Sequence, residues 1–472
     1  MEKNIKNTDL MLVFKVLDEQ SLRDLHQFVR SPYFNQREDV VLLFDYLRQY
    51  FPKKNADKYF LKTKVFEAIY GKEEFDEKKL HYLLSFLLKI IQKYWIVADL
   101  EESPIEQQER ICKALRQKHL DKLFYKEVNK GHEILEKQPL RNALYHRYKG
   151  SFFYEYYEHE SSQKRENDVK LQEWSNEIAF GSIINTLRQA CLMLSHSRVI
   201  KKQYDIPLIK EVVQYIENHD FSNLPEIKIY YHLYCMLDGI EAHLHYQKAH
   251  DLLIKIWKQF SNMEVRNIAI SLLNFCTKEI RSDAMYIKEG LKLYKFGLDS
   301  GILLENNLLG VYTYKNIVTY AVGVKDFDWV FQFIHDYKNK LAADKQETFF
   351  TYCLANYYFR TKNYDKAQKL LSQVEFKDIL LNFDAKRLLM MMYFENNEFD
   401  ALDALLTSFK SYIQHQNDVN EQHKLLNINL INMIKKMLNI NLDSKQNKQK
   451  LREEVLSIPV IAEREWLLAR LS

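Results

Sequence analysis

The sequence predicts an all-α protein, a right-handed α-solenoid of antiparallel helix pairs with an N-terminal helical module, and three observations lead there. Helix breakers are scarce: 10 Gly and 7 Pro occur among 472 residues, where average usage would place the two at roughly 12% of positions. Glycine supplies positive φ in tight turns and phosphate loops, and proline ends helices. Scarcity of both favours long helices with short polar connections over sandwiches, barrels and Rossmann-type sheets. Apolar surface is ample, with 47% hydrophobic and 14% aromatic residues, including 31 Tyr and 28 Phe, enough to bury a core. Finally, a spacing of 35 residues relates Tyr358 to Tyr393, Tyr364 to Phe399, Ala367 to Leu402 and Leu371 to Leu406, a period that marks helix–turn–helix repeats.

The elements follow from where the few breakers fall. Ser31-Pro32-Tyr33-Phe34-Asn35 reads as a corner between two helices, with Asn35 and Glu38 as a capping box opening the second. Asp76 is placed to cap a long helix spanning His81 to Val97, whose apolar run through Leu83, Leu84, Phe86, Leu87, Ile90, Ile91 and Trp95 predicts burial on most sides. Ser103-Pro104-Ile105-Glu106 combines an N-cap serine, a first-turn proline and a capping-box glutamate, so a domain boundary is placed there. Pro139, Pro207 and Pro225 punctuate the middle third, and the aromatic stretch Gly150 to Glu160 predicts a buried or groove-lining helix. This divides the chain into an N-terminal helical module (1–102), a central helical segment (103–225), helical repeats (226–440) and C-terminal capping helices (441–472). The basic run Lys445 to Arg452 reads as an exposed connection or helix start before the apolar helix around Trp466.

Within the repeat region, Leu354-Ala355 precede Tyr358, and the turn Thr361-Lys362-Asn363 precedes Tyr364 and Ala367. The next copy carries Tyr393, the turn Asn396-Asn397-Glu398, Phe399 and Leu402. A looser copy, Lys325-Asp326-Phe327-Asp328-Trp329-Val330, precedes them at an offset of 37. Over residues 310 to 413 this pattern resembles the tetratricopeptide repeat, without that family's Trp, turn Gly and closing Pro. The whole chain also resembles an uncharacterised bacterial family of helical-repeat proteins, on the strength of Ser31-Pro32-Tyr33-Phe34-Asn35 and Phe399-Asp400-Ala401-Leu402-Asp403. These resemblances imply a fold and bring no activity. They also imply that the first helix of each pair lines a concave face. Exposed positions there, Tyr312, Lys315, Thr319, Tyr352, Asn356, Phe359, Arg360, Arg387, Met391 and Glu395, are the candidate partner-binding residues. The tetratricopeptide groove that holds a peptide carboxylate uses two Lys, two Asn and an Arg. Here only Lys315 matches, and Thr319, Cys353, Asp384 and Leu388 stand at the other positions.

Chemistry-bearing motifs are sparse. No two glycines lie close enough for a P-loop or a GxGxxG turn. The five cysteines, Cys112, Cys191, Cys235, Cys276 and Cys353, have no CxxC spacing, which predicts buried reduced thiols in a cytoplasmic protein. In Glu241-Ala242-His243-Leu244-His245 with His250, His243 and His250 share a helix face while His245 points about 200° away, so three ligands do not converge. Glu155-Tyr156-Tyr157-Glu158-His159 is similar to a zinc-protease pattern with one imidazole missing, and predicts an interhelical polar contact. No catalytic residue, cofactor site or metal site is assigned. No 18-residue apolar run predicts a membrane span, and the net charge of +4 gives no global footprint for nucleic acid. Two clusters could nonetheless contact phosphates and stack bases: Tyr145-His146-Arg147-Tyr148-Lys149 and Arg198-Val199-Ile200-Lys201-Lys202-Gln203-Tyr204. The expectation is a non-enzymatic, cytoplasmic scaffold or adaptor for a protein or peptide partner, with RNA or single-stranded nucleic-acid binding as the alternative. An enzyme assembled from distant helices would require a tight pocket with strongly perturbed titratable groups.

Overall fold

A computed structural model describes residues 4–51, 57–162, 168–200, 202–280, 283–372, 377–416, 419–440 and 444–472. It is 77% helical, with 23 α-helices among the described residues, so the protein is all-α. One small departure from helix is a pair of two-residue antiparallel strands, β1 (Leu304–Glu305) and β2 (Leu308–Leu309). Asn306 and Asn307 join them with φ of 50° and 63°. Asparagine is one of the few residues that tolerates this geometry, and such a two-residue turn suits a hairpin. The chain divides into two compact units, Met1–Thr186 and Leu187–Ser472.

The first unit carries α1 (Asp9–Phe14), α2 (Glu19–Val29), α3 (Glu38–Tyr50), α4 (Lys62–Tyr70), α5 (Glu77–Glu102), α6 (Pro104–Gln117), α7 (Asp121–Lys137), α8 (Ala143–Glu160) and most of α9 (Leu171–Ile200). One apolar cluster gathers Ile5 to Ile91, and a second gathers Ile105 to Phe152. Asp76 caps α5 by accepting from the Lys78 and Lys79 amides at 2.8 and 3.0 Å. That helix is longer than the apolar run, and its fully buried positions stop at Ile91: Trp95 and Ile96 are exposed.

Neither proposed capping box of this unit forms. Asn35 instead clips the Ser-Pro corner together. Its amide donates to Val29 O at 2.8 Å, and its carbonyl accepts from the Arg37 amide at 3.0 Å. Ser103 makes no side-chain cap, and Glu106 accepts from the Tyr148 hydroxyl instead. A charged-acceptor bond from a buried tyrosine competes well with capping one amide. Where α7 meets α8, Gly131 lies under the Phe152 ring, and a Cβ there would stand 2.5 Å from the ring.

The second unit comprises the end of α9, α10 (Ile209–Asn218), α11 (Pro225–Asp238), α12 (Ala242–Ile256), α13 (Asn262–Glu279), α14 (Met285–Asp299), α15 (Val311–Gly323), α16 (Phe327–Asp336), α17 (Gln346–Arg360), α18 (Tyr364–Ser372), α19 (Ile379–Glu395), α20 (Phe399–Gln414), α21 (Glu421–Asn439), α22 (Lys445–Ser457) and α23 (Arg464–Arg470). From α11 to α21 consecutive helices pack on one another, as do α22 and α23, and α17 also packs on α15 and α19.

The sequence period corresponds to a repeated geometry. Lys325, Lys362 and Asn397 take φ of 65°, 60° and 59°. The amide following each donates to a carbonyl five residues back: Asp326 to Ala321 at 3.0 Å, Asn363 to Tyr358 at 2.8 Å and Glu398 to Tyr393 at 2.8 Å. This left-handed helix stop satisfies carbonyls that the helix leaves orphaned. The helix after each turn then buries equivalent residues, Val330, Ala367 and Leu402 at one position and Ile334, Leu371 and Leu406 one turn on. Phe399 departs from the pattern and is exposed where Tyr364 is half-buried.

Candidate functional site

The ten candidate residues lie on α15, α17 and α19, and the structure sorts them into three groups. Tyr352, Asn356, Phe359 and Met391 are buried, so they pack between helices and are not the exposed positions the repeat register predicted. Neighbouring helices approach closely enough to cover them. Thr319 is exposed and returns its hydroxyl to Lys315 O at 3.0 Å.

The remaining five carry charge or a hydroxyl and take part in one polar assembly. Its centre is Asp384 on α19, which pairs with both Lys315 of α15 and Arg387 one turn along its own helix. Lys315 therefore reaches past α17, and Tyr312 does likewise, its hydroxyl donating to Asp378 at 2.8 Å. Arg387 also donates to the Asn427 side-chain carbonyl at 3.0 Å. Asn427 is fully buried on α21 and ties back to His423 O at 2.7 Å. Burial alone would lower the Arg387 guanidinium, but Asp384 and Glu463 outweigh it and hold it above its usual value. A buried carboxylate flanked by two cations offsets desolvation that a single pair would leave uncompensated.

The C-terminal segment completes the assembly. Glu463 lies 3.1 Å from Arg360 and 3.7 Å from Arg387. The Trp466 indole N–H donates to Glu395 at 2.7 Å, and Arg470 pairs with the same carboxylate at 3.1 Å. The Trp466 ring also meets Phe394 edge-on, with centroids 5.4 Å apart. Two backbone ties hold the approach to α23 against α21: the Ala462 amide to Leu426 O at 3.2 Å, and the Asn429 side chain to Val460 O at 2.7 Å. Asp384, Asn427, Glu463, Trp466 and Arg470 were not among the sequence candidates. Asn427 had a signal, since it shares a helix face with Ile431, Ile434 and Leu430, an amide in an apolar stripe. Glu463 and Arg470 had none, because their partners lie far away along the chain.

The other motifs resolve into packing. His245 meets His232 with Nδ1 atoms 2.9 Å apart, His243 meets the Tyr286 hydroxyl at 2.6 Å, and His250 meets Asp251 at 3.2 Å. Among the described residues no group of three or more His, Cys, Asp or Glu converges to hold a metal ion. Burial pushes His232 down to about 4, with the neighbouring His245, Lys248 and Lys228 adding to the shift. Glu155 and Glu158 both engage Arg116 of α6, at 2.6 and 3.5 Å, and His159 reaches Asp121 at 3.0 Å; these are polar contacts between helices.

In the first aromatic-basic cluster, Arg147 approaches Glu106 at 3.7 Å, Lys149 pairs with Glu177 at 3.1 Å, and His146 meets Glu177 at 2.7 Å. In the second, Arg198 donates to Leu237 O and Lys202 lies over the Tyr204 ring at 5.0 Å. Lys201 and the Val199 side chain lie outside the described residues. A pocket of about 270 Å³ opens beside α11 and α13, with Cys191 and Tyr230 in its lining. Burial pushes both groups up, away from neutral pH, so neither is poised as a base or a thiolate nucleophile. All five cysteines are free and buried. Among the described residues no helix is long and apolar enough to cross a membrane.

No protein-family model matches the chain, and no curated protein matches it.

Proposed function

We propose that this chain is a non-enzymatic scaffold or adaptor of the cytoplasm, a tetratricopeptide-like solenoid of antiparallel helix pairs that engages a protein partner on the concave face formed by α15, α17 and α19. The observation that carries this reading is the charged assembly on that face. Side chains from α15 and α19 meet across α17, which is the convergence expected on the inner side of a curved helical array. There Arg360 and Arg387 present guanidinium groups to a carboxylate and Glu395 accepts N–H donors. Such directional, partly desolvated polar groups beside an aromatic surface are the anchors of protein interfaces. The free, buried cysteines fit a reducing compartment.

Affinity purification from native cells, with and without nuclease, tests the class of partner. A stoichiometric protein that survives nuclease agrees with the reading. Recovery of RNA, with partners lost on nuclease treatment and a steep salt dependence, would replace it with nucleic-acid binding.

A further inference from the structure

The C-terminal segment occupies the proposed binding face in the manner of a ligand. The segment packs on α22 and is tied to α21, and it also reaches much further back along the chain. Here Glu463 reaches Arg360, 103 residues back along the chain, and Trp466 reaches Glu395, 71 residues back. Trp466 and Arg470 stand at i and i+4, one side of α23, and Glu463 is the residue at the turn into that helix. Their chemistry alternates with that of the face: carboxylate against Arg360 and Arg387, then indole N–H and guanidinium against Glu395. The delivery is specific as well. Glu463 adopts φ of 51°, uncommon for a residue with a side chain. Arg464 braces the corner by donating to Val455 O at 2.7 Å and to Ile458 O at the end of α22.

We infer that the face of α17 and α19 recognises a segment of a partner protein carrying an acidic residue at the turn into a short helix, an indole three positions on and an arginine four beyond that. The chain's own Glu463, Trp466 and Arg470 hold the seat until that segment replaces them. This rests on reading the face as the protein-binding one. Helix-in-groove recognition by anchors on one helix face, as at i and i+4 here, is an established mode of peptide binding. A resident intramolecular segment weakens any competitor by the fraction of time it fills the seat.

The test uses the full chain and a fluorescent synthetic peptide of residues 459–472. The chain bearing Glu463→Gln, Trp466→Ala and Arg470→Ala together should bind the peptide about tenfold or more tightly than the unaltered chain. Adding Arg360→Glu should abolish that gain. Should the triple variant fail to fold, hydrogen exchange of the unaltered chain gives the same answer: excess peptide should speed exchange of amides 464–471. A folded triple variant that binds no better than the unaltered chain, binding indifferent to Arg360, or exchange unchanged by peptide would each overturn the inference. A native partner still lost on Arg360→Glu would then show that the inference failed while the protein-binding reading stood; a partner indifferent to Arg360 would take the reading down as well.

Discussion

Lysine and asparagine hold left-handed backbone at Lys325, Lys362 and Asn397, a conformation that costs a residue with a Cβ about 1–2 kcal/mol. The scarcity of glycine that pointed to helices therefore does not mean that turns of this type are absent; they are built from other residues. Lys325 is exposed, so Lys325→Gly should relieve the strain without loss of packing and stabilise the second unit by about 0.5–1 kcal/mol. Thermal melting would show the midpoint rising, whereas a fall would mean that the lysine side chain contributes contacts. The histidines make a second case. Their spacing on α12 was legible, but His232, from α11, was not, because its partner His245 is brought close only by the fold. His232 is depressed to about 4 from 6.5, so the unfolded chain binds a proton that the folded one refuses between those values. Stability is thus full above pH 6.5 and falls as pH drops toward 4. Melts of His232→Asn across this window should show a shallower pH dependence than the unaltered chain.

Among the elements, the regular helices were the most legible, because period and caps are local: Asp76 caps α5, and the 35-residue spacing of Ala367 with Leu402 corresponds to buried positions of α18 and α20. Competing partners defeated other signals. Asn35 clips a corner, and Glu106 turns to Tyr148, so neither serves its capping box. Burial on α17 and α19 was also illegible, since Met391 and Asn356 are covered by helices whose approach depends on packing alone. Close approach is visible where α14 meets α15: a Cβ on Gly290 would collide with the Tyr320 ring, whose hydroxyl is fixed to Thr277 at 2.7 Å. Gly290→Ala should destabilise the second unit by about 1–3 kcal/mol, the usual cost of overpacking. An unchanged denaturation midpoint would mean that the ring moves aside freely.

At the scale of the whole molecule, composition pointed to an all-helical chain, and helix dominates both compact units. Half of the candidate site was legible as charged and hydroxyl-bearing positions on α15, α17 and α19. The other half is Asp384 on α19, Asn427 on α21 and the C-terminal segment, and no repeat period relates the last two elements to the first half. Arg360 joins the two halves and is a third exposed, with Glu463 as its ion-pair partner, so its charge can be reversed with little disturbance to the core. The most direct measurement is quantitative co-purification of protein partners by the unaltered chain and by Arg360→Glu, with matched thermal melts as the folding control. The protein-binding account predicts partner recovery falling about tenfold or more in the folded variant, as for loss of a central arginine anchor. Undiminished recovery by a folded Arg360→Glu chain would contradict it.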